Sequence, residues 1–140
     1  MERWILYAIL AMVFAGVTGV IAKLGLKDIS GDLGMTIRTC FVFVFVLLFA
    51  AAVVPREDYQ KLTRHNYLWL GISAATTAVS WIFYYKAIQS GEVSTVALID
   101  KGSFLIAVVL AILFLDEKFT WRIAAGSGLI LAGLLVVAKR

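Results

Sequence analysis

Residues 4–22, WILYAILAMVFAGVTGVIA, carry no charged side chain from Trp4 to Ala22. As a helix rising about 1.5 Å per residue, the stretch reaches across a hydrocarbon core about 30 Å thick. In lipid a segment must satisfy its own backbone hydrogen bonds, so the stretch is expected to be helical. It is too long for a signal-peptide core, lacks a convincing small-residue cleavage site and precedes four more apolar stretches, so it is expected to be retained.

Those four stretches cover about residues 33–54, 66–88, 93–115 and 120–138. Leu33 to Val54 contains one charge, Arg38. The third stretch is uncharged from Asn66 to Tyr85 and has Lys86 near its end, the fourth contains Asp100-Lys101, and the fifth has Arg122 near its start. The alternating run Phe41 to Val46 has strand propensity, but both alternating sets are apolar and the run is membrane-long, so helix is expected. Pro55 should stop the second helix, residues 56–65 should form a polar loop in water, and Ser94 should cap the fourth helix after Gly91. Asp116-Glu117-Lys118 should end the fourth helix at the surface. The expectation is an all-α membrane protein with one domain over residues 1–140.

Composition supports this. Apolar residues make up 62% of the chain and charged residues 16%, against about 45–50% and about 25% in soluble domains. So few polar groups cannot cover the surface of a soluble domain of this size. A soluble enzyme, a disordered chain and a nucleic-acid binder are all disfavoured, since the net charge of +4 comes from scattered residues. Cys40 is the one cysteine and supports neither an internal disulfide nor a zinc site. Neither a metal nor a cofactor is expected. His65 lies in the loop and no nucleophile–base constellation occurs, so no catalytic residues are assigned.

Five helices place the termini on opposite sides. The basic residues at one face are Arg3, Arg56, Lys61, Arg64, Lys118 and Arg122; at the other they are Lys23, Lys27, Arg38, Lys86, Lys139 and Arg140. The tally is even, and it tilts toward a cytoplasmic N-terminus if Lys23, Arg38 and Lys86 sit at membrane depth. Two orientations are open: one fixed insertion, or insertion both ways to give an antiparallel homodimer. Trp4, Trp69 and Trp121 start the odd-numbered helices and fall at one interface, where indole is favoured, whereas Trp81 lies deep.

Small residues at Ala124, Gly128 and Ala132, and at Ala15, Gly16 and Gly19, allow close helix approach, within one subunit or across a dimer seam. Ser73, Thr77, Ser80 and Tyr84 fall on one helical stripe. The stripe serves interhelical hydrogen bonding or lines a polar pathway. A charge at the bilayer centre costs about 2.5–3.5 kcal/mol on insertion scales, so intramembrane charges usually face an interior. Asp100 and Lys101 point about 100° apart on a regular helix and are not expected to pair face to face. Asp100 could pair with Arg38 or Lys86. Three cations (Arg38, Lys86 and Lys101) against one acid leave positive charge suited to an anionic ligand, while the structural alternative is a neutralised network with Lys86 snorkelling.

The order of several motifs then resembles a known family. They are Ile21-Ala22-Lys23-Leu24-Gly25, Ile37-Arg38-Thr39, Ser80 to Ala87, Ser94 to Ser103 with Ile99-Asp100-Lys101, and Phe114 to Trp121 before a glycine-bearing last helix. Together they resemble the EamA domain of the drug/metabolite transporter superfamily over nearly the whole chain. Most members carry two inverted five-helix domains in tandem; this chain resembles the short single-domain type. The resemblance implies a small-molecule transporter that works by alternating access as a homodimer in the inner (plasma) membrane. Two departures stand out. Many members have a proline near the position of Asp100-Lys101-Gly102, and the first helix lacks the acid with which related small multidrug exporters bind cations.

The resulting expectation is an exporter of a small polar, anionic solute. Arg38, Lys86 and Lys101 would bind the anionic group, Asp100 would act as ion-pair partner or proton carrier, and Thr77, Ser80, Trp81 and Tyr84 would line the cavity. The alternatives are a non-transporting accessory or scaffold subunit and a flippase for a lipid-linked carrier.

Overall fold

A computed structural model describes residues 3–138, leaving Lys139 and Arg140 of the charge tally outside the described residues. All the secondary structure described is helical: α1 (Arg3–Gly25), α2 (Gly31–Val53), α3 (Arg56–Tyr59), α4 (Arg64–Ser90), α5 (Val93–Asp100), α6 (Ser103–Leu115) and α7 (Trp121–Ala138). The chain is an all-α membrane protein. By length and apolarity α1, α2 and the stretch Val93–Leu115, which α5 and α6 make up, are each able to cross a bilayer, and α7 is apolar but shorter. At 27 residues α4 is the longest helix. It falls outside that apolar set because hydroxyl, amide and charged side chains run along it.

Two local readings are corrected. The segment after Pro55 contains the short helix α3, which starts at Arg56 with Pro55 as its extended N-cap residue (φ −62°, ψ 143°). Ser94 does not cap α5; the boundary residue is Glu92, in extended conformation, and it makes no side-chain capping bond. Glu92 instead accepts a hydrogen bond from Thr95 Oγ1 at 3.2 Å. At the other end of α2, Val54 is extended (φ −86°, ψ 116°), as steric conflict with a following proline requires. Asp116 closes α6 in the left-handed region, at φ 53°, where aspartate is among the better tolerated non-glycine residues.

Contacts divide the chain into two compact units, residues 21–90 and residues 1–20 with 91–140. In the first, α2 packs against α4. Its buried apolar side chains are Leu26, Tyr85 and Ile88. Trp81, Tyr85 and Ile88 are spaced 4 and 3 apart and therefore share one face of α4. In the second unit α5 packs against α7, and none of α5 or α6 is fully buried.

The α2–α4 approach depends on Gly31. A Cβ there would lie 3.0 Å from both the Tyr85 carbonyl oxygen and Gln89 Oε1. Side chains can swing away but backbone cannot, so Gly31→Val should push the helices apart. Overpacking of this kind costs about 1–3 kcal/mol. The expected outcome is a lower thermal unfolding midpoint in detergent, with Gly31→Ala intermediate.

Candidate functional site

The α2–α4 seam carries three layers of polar interaction, read inward from the end where α2 begins and α4 finishes. At the end itself, Ser30 Oγ accepts from the Leu33 N–H at 3.2 Å. Gln89 Oε1 accepts from the Gly31 N–H at 3.0 Å, and Gln89 Nε2 donates to the Ile29 carbonyl at 3.4 Å. The Lys23 ammonium donates to the carbonyls of Ile88 and Gln89. It thus covers acceptors that the last turn of α4 leaves without a helical partner, and its charge complements the negative end of the helix. Lys23→Met should lower stability by roughly 1 kcal/mol. Thermal unfolding in detergent checks this, and Lys23→Arg should retain most of the effect. An open cleft of about 400 Å³ lies here, lined by Lys23, Leu24, Leu26, Lys27 and Gln89.

The second layer is an ion pair between Lys86 Nζ and Asp32 Oδ1 at 3.6 Å. The partner of Lys86 is therefore Asp32, in the first turn of α2. Both side chains are more than half exposed, so the pair contributes modestly.

The third layer is deeper. Arg38 places its guanidinium carbon 4.5 Å from the centroid of the Trp81 ring. Arg38 lies about 10 Å along α2 from Gly31, and Trp81 about 13 Å along α4 from Ser90, at 1.5 Å per residue. Both side chains are half-buried. Such stacking contributes about 0.5–2 kcal/mol, the higher value applying where water is excluded. Among the described residues Arg38 makes no ion pair and no side-chain hydrogen bond.

In the other unit the fourth span is interrupted. α5 ends at Asp100 and α6 begins at Ser103. The turn between them uses i→i+3 bonds: Gly102 N–H to Ile99 O at 2.8 Å, Phe104 N–H to Lys101 O at 3.3 Å, and Leu105 N–H to Gly102 O at 3.0 Å. Tight turns of this kind within a long helix often mark a hinge or a strained sequence. Gly102 belongs there, since a Cβ would lie 3.0 Å from the Ile99 carbonyl oxygen and 3.4 Å from Leu134 Cδ1. The interruption corrects the expectation for Asp100 and Lys101. The two do not sit on one regular helix, and Lys101 Nζ reaches Asp100 Oδ2 at 3.9 Å.

The hydroxyl stripe divides from Trp81. Ser73, Thr77 and Ser80 are exposed, and Tyr84 is half-buried, on the α4 face adjacent to the one that carries Trp81, Tyr85 and Ile88. Thr77 Oγ1 bonds back to the Ser73 carbonyl at 2.9 Å, and the neighbouring Thr76 to Ile72 O at 2.6 Å. These two hydroxyls are satisfied within their own helix, as threonine often is. Gly16, Gly126, Gly128 and Gly133 have open space around them. Sequence reasoning missed Asp32, Gln89 and the capping role of Lys23. The signal available was a run of polar side chains at helix ends next to the glycine at position 31.

Residues 2–139 match the EamA-like transporter family. The chain is 31% identical over 137 residues to an "Uncharacterized transporter in cobO 3'region" of Sinorhizobium sp., covering 98% of this chain and 97% of that one. No solved structure matches the chain. The chain belongs to the EamA-like transporter family. It is a multi-pass membrane transporter and not an enzyme.

Proposed function

We propose that the chain exports a small polar, anionic solute across the inner (plasma) membrane, as a homodimer of two half-bundles that alternate access around a midplane site. The observation that carries this reading is the exposed polar stripe Ser73, Thr77 and Ser80 on α4. Lipid rewards no hydroxyl facing it, so such a face belongs against a second copy or a water-filled path. The open small-residue surface at Gly128 on α7 supports a close-packed seam. Inverted pairs of bundles supply two equivalent exits to one site. Membership of a transporter family whose usual members hold two such bundles favours this reading over an accessory subunit.

The test is reconstitution. Purified protein in liposomes is screened for flux of amino acids, organic acids, sugar phosphates and neutral sugars. Saturable flux of an anionic class, above that of protein-free vesicles, is expected. Flux confined to neutral solutes would overturn the anionic assignment, and lipid scrambling without solute flux would favour the flippase.

A further inference from the structure

We infer that Arg38, backed by the Trp81 ring, is the grip for a single carboxylate on the transported solute. The inference rests on the transport reading above and narrows its anionic class. Of the three cations assigned to the anion, two already hold a carboxylate: Lys86 has Asp32 at 3.6 Å, and Lys101 has Asp100 at 3.9 Å. Arg38 differs. Its contact is the face of Trp81, 4.5 Å from the guanidinium carbon. The ring attracts the cation without accepting a conventional hydrogen bond from it, and no N–H donor of Arg38 makes a side-chain hydrogen bond among the described residues. Those donors form a rigid planar fork that matches the two oxygens of a carboxylate.

Charge selects in the same direction. The neighbouring Lys86–Asp32 pair is neutral, and the deep layer holds one positive charge. One carboxylate neutralises it, whereas a doubly charged phosphate would leave one negative charge without a partner in a low-dielectric setting. Shape and charge thus agree on a planar monoanion. Trp81 serves as a positioning residue: it fixes the plane of the fork and shields one side of it from competing water.

The test uses the full chain with Trp4→Phe, Trp69→Phe and Trp121→Phe, which leaves Trp81 as the one fluorescent indole. Propionate, propionamide and propylphosphonate are titrated at constant ionic strength, at a pH where the phosphonate carries two charges. Propionate should shift Trp81 emission saturably, propylphosphonate should bind more weakly and propionamide should give no response. Arg38→Lys keeps the charge but loses the fork, and should weaken propionate about tenfold or more with helical content unchanged by circular dichroism. No saturable response to propionate, a phosphonate response of equal or greater affinity, or full propionate binding by Arg38→Lys would each overturn the inference. Solute flux measured on the same protein separates this outcome from failure of the transport reading.

Discussion

Arg38→Met in reconstituted protein should lower solute flux about a hundredfold while leaving the helical content and the detergent-solubilised yield intact. The size follows from what is removed. A hydrogen bond to a charged group contributes about 1.5–3 kcal/mol, and a bidentate fork makes two, so about 3 kcal/mol of solute binding is at stake. At 1.4 kcal/mol per decade that is about two orders of magnitude. Folding should be spared because Arg38 makes no ion pair or side-chain hydrogen bond among the described residues; its stack on Trp81 is what is lost. Methionine keeps the length and removes a charge that is costly within a span. The variant should therefore be at least as easily inserted as the parent. Trp81→Phe should give a smaller loss, since a phenyl ring still stacks but attracts a cation less than indole does.

The second large effect concerns Asp100 and Lys101. Lys101→Met leaves the Asp100 carboxylate without its 3.9 Å partner inside the interrupted span. A charge at the bilayer centre costs about 2.5–3.5 kcal/mol on insertion scales, which is the upper bound on the loss. Expression and thermal stability should fall accordingly. Asp100→Asn combined with Lys101→Met removes both charges and should restore stability to near the parent value. Flux separates the two roles that a charge pair can play. If the pair serves only insertion and packing, the double variant transports normally. If it takes part in transport, the double variant is stable and inactive. Measuring yield, unfolding midpoint and flux on all three proteins decides between them.

Much of the architecture was legible because membrane helices are set by length and apolarity. The charge-free run from Trp4 to Ala22, the stop at Pro55 and the break before α5 each have a single dominant cause. The interruption at Asp100–Gly102 was not legible. A polar pair followed by glycine in an apolar run fits either a continuous helix or a tightened turn, and the choice depends on packing, such as the approach of Leu134 to Gly102. The site was half legible. Periodicity groups Ser73, Thr77, Ser80 and Tyr84, but it cannot say which neighbouring face another helix covers. In the structure α2 covers the face of Trp81, Tyr85 and Ile88. Charge counting brought Arg38, Lys86 and Lys101 together as one set. Only tertiary proximity shows that Asp32 holds Lys86 and that an aromatic ring backs Arg38, because positions 32 and 86, or 38 and 81, are related by no local spacing.

We propose that one chain supplies half of the transport unit. Counting copies in single vesicles while following flux tests it most directly. Fluorophore-labelled chain is reconstituted at a dilution where most vesicles hold one or two molecules, and photobleaching steps are counted in vesicles that do or do not accumulate solute. Accumulating vesicles should bleach in two steps, and one-step vesicles should be as tight as protein-free ones. Solute accumulation in vesicles that hold a single chain would contradict it.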